Sequence, residues 1–210
     1  MTDRILVLAP HTDDGELGMG GTIARFVEEG KEIHYTAFST ADESLRDGFP
    51  PGTLVKEVKN ATEALGIPES NVHIFPYKVR TFSYKRQEIL EDIIKLKQDI
   101  DPTIVFSPTT RDLHQDHLVV ANEAVRAFKK INMYAYEMPW NNINFNFDAF
   151  FELSEDHLQC KIDALSHYES QQNKDYMQPE FTRSLAKVRG VQINVPYAES
   201  FEVVRQINRL

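Results

Sequence analysis

The stretch Ile5–Thr22, ILVLAPHTDDGELGMGGT, decides how the rest of the chain is interpreted. It opens with an apolar run of strand length and closes with a glycine-rich segment. Between them lie a histidine and two adjacent aspartates, His11, Asp13 and Asp14, and the helical pattern IARFVEEG follows. A buried strand that ends in ionisable side chains ahead of a helix is typical of the ligand-binding edge of an α/β sheet.

Three more apolar runs of strand length follow, each separated from the last by a helical pattern. The runs lie at residues 5–9, 33–38, 72–75 and 103–107, and the helical patterns between them at 22–30, 53–66 and 85–100. A further helix is predicted from about Asp116 to Lys130. This alternation predicts βαβ units and therefore an α/β fold with a mostly parallel sheet, with the active site at the carboxyl ends of its strands.

Length, charge and cysteine content narrow the class of protein. The 210 residues suffice for one large domain but not two, so residues 1–210 are interpreted as a single domain in which 132–210 complete a layer and form the pocket wall. A net charge of −9 argues against nucleic-acid binding. With no apolar segment of membrane-spanning length, no recognisable secretory signal and one cysteine, Cys160, we expect a cytoplasmic protein that does not interact with membranes.

A second polar cluster, RDLHQDH at residues 111–117, follows the fourth apolar run. If the fourth strand neighbours the first, both clusters meet in one cleft. Two imidazoles and a carboxylate around one point suit a catalytic Zn²⁺ site, in which three protein ligands leave a position for water. The same donor set also suits non-haem Fe²⁺, which stays open as an alternative.

The motif PHTDDGELGMGGT, followed by HQDH, resembles the patterns His-Pro-Asp-Asp-Glu and His-x-Asp-His of the LmbE-like (PIG-L) deacetylases. The later segments KIDALSHYESQ and VPYAESFEV also look like that family. The resemblance implies a Rossmann-like three-layer fold and a zinc-dependent hydrolase that deacetylates a small N-acetylglucosamine-containing substrate, as the bacillithiol and mycothiol pathway deacetylases do. It also implies a homotrimer or homohexamer.

Individual roles follow from the resemblance by motif position. The implied metal ligands are His11, Asp14 and His117. Asp13 is then the general base, and a protonated His114 stabilises the oxyanion while Asp116 holds its imidazole in place. The residues leave open whether Asp13 or His114 returns a proton to the leaving amine.

The chain departs from the family pattern at several positions. Thr12 stands where the family has proline, and Gly15 where it has glutamate, with Glu16 one place later. The resemblance therefore assigns the supporting role of that glutamate to no residue of this chain. Lys56 stands where many members have arginine. The candidate substrate contacts are Arg46, Lys56, Arg80, Tyr197 and Glu199, the last two through the family's YAE pattern.

Several features also have structural interpretations. Asp116 suits the N-cap of the following helix. The glycines at 18, 20 and 21 lack the third glycine of a dinucleotide-binding pattern, and a tight turn with close helix packing explains them better. Trp140 is open to either interpretation, and the phenylalanines at 145–151 favour core or subunit interface. A sugar- or nucleotide-binding module with a non-catalytic metal site is the alternative to an enzyme.

Overall fold

A computed structural model describes residues 3–208 of the chain. Within them, strands and helices alternate and short 3₁₀ turns fill some of the connections. The elements are β1 Arg4–Ala9, α1 Asp14–Glu28, β2 Glu32–Ala37, α2 Thr53–Ala64, β3 Val72–Ile74, α3 Arg86–Ile100, β4 Ile104–Ser107, α4 Gln115–Ala127, β5 Asn132–Tyr136, β6 Ala149–Leu153, α5 Glu155–Ser166, α6 Pro179–Gln192 and β7 Tyr197–Arg205.

All the strands pair in one sheet of order β3-β2-β1-β4-β5-β7-β6. The first five strands in that order are parallel to one another, β7 is antiparallel to β5, and β6 is antiparallel to β7. The strand order reverses between β1 and β4, which opens a crevice beyond their carboxyl ends. The predicted mostly parallel α/β sheet, with β1 beside β4, is confirmed.

The sheet is covered by helices on both faces because the central strand β1 carries buried apolar side chains on both of its faces. Ile5 and Val7 of β1 belong to a buried cluster with residues of α1, α2 and α5. Leu6 and Leu8 belong to a second cluster with residues of α3 and α4. Successive side chains of a strand point to opposite faces, so β1 alone contributes to both cores. The predicted three layers are therefore present.

Two helix boundaries differ by more than two residues from the sequence-based prediction. The helix predicted at residues 22–30 starts at Asp14, so the glycine-rich segment lies within α1, which departs from helical geometry at Met19, rather than in a tight turn. Close packing does explain Gly18, because a Cβ there would collide with the Tyr136 ring. The helix predicted from about Asp116 to Lys130 spans Gln115–Ala127.

The segment after residue 132 adds β5, β6 and β7 to the same sheet. It also supplies α5, which packs against α1 and α2, and α6, which packs against β7. The interpretation of residues 1–210 as one domain stays a prediction. Within residues 3–208, no helix combines the length and the apolar character that crossing a bilayer requires.

Candidate active site

The carboxyl ends of β1 and β4 carry the two polar clusters, and the sheet places them side by side. Together they line a cleft with a volume of about 210 Å³. The ionisable residues that the two clusters contribute to the cleft are His11, Asp13, Asp14, His114 and His117. The juxtaposition predicted from the sequence is therefore present.

Three donor atoms in the cleft form a nearly equilateral triangle. Asp14 Oδ2 lies 3.2 Å from both His11 Nδ1 and His117 Nε2, and those two nitrogens are 3.3 Å apart. When two donor atoms each lie about 2.0–2.1 Å from a tetrahedral zinc ion, the distance between them is about 3.3–3.4 Å. The size of the triangle and its nitrogen and oxygen donors both fit one zinc ion.

The second nitrogen of each of these imidazoles faces a carboxylate. His117 Nδ1 lies 2.9 Å from Asp112 Oδ2, and His11 Nε2 lies 3.2 Å from Asp116 Oδ2. Contacts of this kind fix which ring nitrogen is left for a metal and strengthen it as a ligand. The sequence did not single out Asp112, although it lies inside the quoted RDLHQDH segment.

Two expectations for Asp116 are wrong. Its carboxylate contacts His11 rather than orienting His114, and it also accepts the backbone N–H groups of Arg80 at 2.5 Å and Phe82 at 3.4 Å. It is not the helix cap either, because the N-cap of α4 is His114, whose Nδ1 accepts the backbone N–H of Asp116 at 3.2 Å. The Asp116 carboxylate therefore links the β3–α3 connection to His11 of the triangle.

His114 differs from the protonated form that the resemblance implied. Burial, together with the neighbouring His117 and His11, lowers the pKa of His114 to about 4. The ring is therefore neutral near pH 7. Because Nδ1 accepts a hydrogen bond from the backbone, the single ring proton is assigned to Nε2, which leaves one donor.

The members of the triangle stabilise one another's charged forms. Burial disfavours charge on His117, but Asp14 and Asp112 outweigh it and raise the pKa of His117 to about 10. Burial is likewise outweighed at His11, whose pKa is raised mainly by Asp14. The two imidazoles in turn hold the pKa of Asp14 well below its ordinary value despite burial. A metal bound here would take the place of these protons.

Asp13 lies beside the triangle without belonging to it. It is the N-cap residue of α1, yet its side chain makes no capping hydrogen bond to the helix. Burial and the adjacent Asp14 carboxylate raise the pKa of Asp13, and the half-buried Lys174 opposes that rise. A carboxylate with a raised pKa in a cleft has the properties of a general base.

Among the candidate substrate contacts, the structure brings only Arg80 into the cleft. Arg46 donates to the backbone carbonyl of Ser170 at 2.7 Å, and Lys56 is exposed on α2. Tyr197 begins β7 away from the cleft, and Glu199 is buried with Lys161 Nζ 2.6 Å from its carboxylate. These four residues therefore lie outside the cleft, contrary to the prediction that they contact the substrate.

The opposite wall of the cleft comes from residues outside the candidate substrate contacts, although Gln171 ends the quoted segment KIDALSHYESQ. They are Trp140, Asn141, Gln171, Lys174 and Tyr176. The rings of Trp140 and Tyr176 stack with centroids 4.2 Å apart and an angle of 10°. Trp140 was the one wall residue the sequence left open, and it lies in the site.

Glu16 supports the loop that carries the site. Its carboxyl accepts the hydroxyl groups of Tyr168, at 2.9 Å, and Tyr35. Both hydroxyls also lie within hydrogen-bond distance of the Thr12 carbonyl, at 2.7 Å and 2.9 Å. Burial raises the pKa of Glu16 to about 8, so the carboxyl is protonated near pH 7. Glu16, which stands one position after the glutamate of the family pattern, thus lies beneath the loop of residues 11–14.

Comparison with known proteins gives one family and several relatives. The family described as GlcNAc-PI de-N-acetylase (PIG-L) matches residues 6–128. An uncharacterized deacetylase, YaiS, of Escherichia coli K12 is 30% identical over 171 residues, which cover 79% of this chain and 90% of that protein. The diacetylchitobiose deacetylase of Thermococcus kodakarensis is 26% identical over 122 residues, 54% of this chain and 45% of that protein.

Solved structures share the fold over essentially the whole chain. The conserved protein TT1542 of Thermus thermophilus superposes with a TM-score of 0.79 at 25% identity, covering 100% of this chain and 98% of that one. GalB of Pseudomonas putida KT2440, a 4-carboxy-2-hydroxymuconate hydratase, superposes with a TM-score of 0.78 at 20% identity and 100% coverage of both chains. The second likeness concerns the fold alone, since this fold carries more than one chemistry.

Proposed function

This chain belongs to the PIG-L (GlcNAc-PI de-N-acetylase) family, and we propose that it is a zinc-dependent hydrolase of a small N-acetylglucosamine-containing molecule. The reaction releases acetate and a free amine. The observation that carries the proposal is the 3.2–3.3 Å triangle of His11, Asp14 and His117 with the Asp13 carboxylate beside it.

His11, Asp14 and His117 would hold the zinc ion. When bound, zinc lowers the pKa of water to near neutrality and polarises an amide carbonyl. A looser set, in which His114 replaces Asp14, has its nitrogens within 4.8 Å of one another. The tighter set is preferred because its spacing matches that of tetrahedral ligands and because it leaves His114 free for substrate.

Asp13 acts as the general base. Its carboxylate lines the cleft and is not used to cap α1, so it can accept the proton of the attacking water. After that transfer Asp13 holds the proton, and it is the group that returns it to the amide nitrogen as the C–N bond breaks. Of the two candidates that the sequence left open, we assign this step to Asp13.

His114 donates a hydrogen bond rather than a proton. Its Nδ1 is occupied by the backbone N–H of Asp116, which leaves the Nε2–H to face the carbonyl oxygen of the acetyl group. A preformed donor aimed at developing negative charge lowers the barrier without being protonated first. The role of His114 as oxyanion stabiliser is kept, with a neutral ring.

The opposite wall is proposed to hold the sugar. Trp140 and Tyr176 offer a flat aromatic surface, and Asn141 and Gln171 offer amide groups to hydroxyls. Arg80, whose side chain donates a long hydrogen bond of 3.4 Å to the Ser44 hydroxyl, is retained as a substrate contact. The diacetylchitobiose deacetylase among the relatives supports an N-acetylated amino sugar as the substrate class.

The proposal is tested by acetate release from N-acetylglucosamine conjugates that carry neutral, acidic and thiol-bearing groups. Zinc-loaded wild type is compared with chelated protein and with the variants Asp13→Asn and His117→Ala. Release that is abolished by chelation and by His117→Ala, and lowered about 10²–10⁴-fold in Asp13→Asn with zinc retained, supports the hydrolase.

Other results would point elsewhere. Full activity only after anaerobic loading with Fe²⁺ would indicate that iron, rather than zinc, is the metal that the enzyme uses. Tight binding of a conjugate, unchanged in Asp13→Asn and with no release by either protein, would indicate a binding module. No release and no binding, with zinc demonstrably present, would direct the search to other reactions on this fold, hydration included.

A further inference from the structure

Helix α1 is interrupted at Met19, whose φ of −152° and ψ of 23° are not helical. The interruption divides it into a first segment, residues 14–18, and a second segment, residues 20–28. Carbonyls at the end of the first segment and N–H groups at the start of the second lose their partners within the helix. Because the break is buried, other groups must satisfy them.

Two buried charged side chains satisfy the break. Lys161 Nζ of α5 donates to the Leu17 carbonyl at 2.7 Å. The Glu199 carboxylate of β7 accepts the backbone N–H groups of Thr22 at 2.7 Å and Gly21 at 3.2 Å. The two charged groups also pair with each other at 2.6 Å. A cation at the C-terminal end of one segment and an anion at the N-terminal start of the next match the polarity of both ends.

The glycines of the segment make room for this arrangement. A Cβ on Gly20 would lie 2.8 Å from Lys161 Cγ, and one on Gly21 would lie 2.5 Å from Leu153 Cδ1 and 3.4 Å from the Glu199 carboxylate. Side chains at these positions would push the capping groups away from the helix. The glycine-rich pattern after the first strand therefore leaves space beside the helix for the side chains of Lys161 and Glu199.

The break is connected to the active site through Leu17. The N–H of Leu17 donates to the carbonyl of Asp13 at 3.0 Å, while the carbonyl of Leu17 accepts Lys161 Nζ. Asp14 is the first residue of the same segment. The capped end of this single turn is therefore connected through Leu17 to the Asp13 backbone and lies in the same segment as Asp14.

We propose that Lys161 and Glu199 are positioning residues for deacetylation, which hold the first turn of α1 so that Asp13 and Asp14 face the cleft. The inference rests on the proposed function for what those aspartates do. Both capping residues lie outside residues 6–128, the part of the chain that the family matches. A buried ion pair adds little stability compared with apolar side chains of similar size, so a positioning role accounts for it better than stability does.

The test compares three capping variants with a matched control. Lys161→Met and Glu199→Gln each remove one charged cap, and the exchange Lys161→Glu/Glu199→Lys keeps opposite charges but reverses their polarity. The control, Glu123→Gln, removes a buried carboxylate that pairs with Arg86 and Arg126 on α3 and α4, away from the break. Zinc affinity is measured by chelator competition, with kcat, KM and melting temperature on the same samples.

Positioning predicts that Lys161→Met and Glu199→Gln each weaken zinc binding and lower kcat by about 10-fold or more, with KM changed less than about 3-fold. The exchange variant shows no recovery, because a carboxylate would then face the Leu17 carbonyl. The control lowers the melting temperature but leaves zinc affinity and kcat unchanged.

Two results would overturn the inference. One is an exchange variant with wild-type zinc affinity, which would mean that ion pairing alone matters. The other is a pair of single variants that, like the control, lose only thermal stability. Wild-type protein that releases no acetate from any conjugate would instead count against the proposed function, and zinc affinity would still test whether the caps place Asp14.

Discussion

Asp112 Oδ2 lies 2.9 Å from His117 Nδ1, on the opposite side of the imidazole from Nε2, which meets Asp14. The other oxygen of Asp112 accepts the backbone N–H of His114 at 2.8 Å. One buried carboxylate therefore orients a proposed ligand and fixes the start of the segment that carries it. A ligand whose ring cannot rotate loses less entropy when it binds a metal, and its free nitrogen is already directed at the site.

Replacing Asp112 by alanine should weaken zinc binding about 10–100-fold while leaving the three proposed ligands in place. Competition with a chromophoric chelator measures the affinity. Asp99→Ala is the control, since that aspartate is exposed on α3 with 58% of its side chain accessible. Equal affinities of the Asp112→Ala variant and the wild type would show that His117 needs no orienting partner.

The ligand set itself can be resolved by two substitutions. Asp14→Ala should abolish stoichiometric zinc binding, because it removes one corner of a triangle whose edges are 3.2–3.3 Å. His114→Ala should keep one zinc per chain with affinity within about 3-fold of wild type and lower kcat about 10²-fold, through loss of one donor to the oxyanion. Metal content after dialysis and kcat are the two measurements. If Asp14→Ala kept zinc and His114→Ala lost it, the set of His11, His114 and His117 would be favoured instead.

Much of the central architecture was predictable because it depends on local patterns. The apolar runs at 5–9 and 103–107 identified β1 and β4, and parallel pairing placed their polar ends together. The motif then indicated His11, Asp14 and His117, the residues that form the triangle. Strand periodicity and short motifs determine these features without reference to the rest of the chain.

The remaining features depend on contacts that sequence spacing does not show. Asp116 is two positions from His114, yet the start of α4 directs its carboxylate to His11, 105 residues away. Lys161 and Glu199 meet the α1 break from positions 144 and 177 residues away in sequence. The wall from Trp140 to Tyr176 likewise combines the loops after β5 and α5, which are far apart in sequence. The predicted homotrimer or homohexamer stays a prediction.

The hydroxyl of Tyr168 should contribute to stability through the loop beneath the site. It lies 2.7 Å from the Thr12 carbonyl and 2.9 Å from Glu16 Oε1, and the ring is fully buried. Tyr168→Phe leaves these acceptors with fewer donors and should lower the free energy of unfolding by about 1–3 kcal/mol. Urea denaturation measures the change. Tyr84→Phe, at a residue that is 86% exposed, serves as the control, and equal losses in both variants would contradict the role of the network.

The imidazoles of His34 on β2 and His73 on β3 meet through His34 Nδ1 and His73 Nε2, 3.3 Å apart. Burial and the neighbouring His34 lower the pKa of His73 below its ordinary value, although Asp99 opposes this. Unfolded chains therefore bind more protons at this position than folded ones once the pH falls below about 6.5, and stability decreases with falling pH.

Substituting His73 by glutamine should make the loss of stability on acidification smaller. Between about pH 7.5 and about pH 5.5, roughly one unit on either side of the unfolded-state pKa, the free energy of unfolding should fall less in His73→Gln than in the wild type. Urea denaturation at a series of pH values gives the slopes. His167→Gln, at an exposed histidine after α5, should keep the wild-type slope. If His73→Gln kept that slope too, the pair between β2 and β3 would not be a source of acid sensitivity.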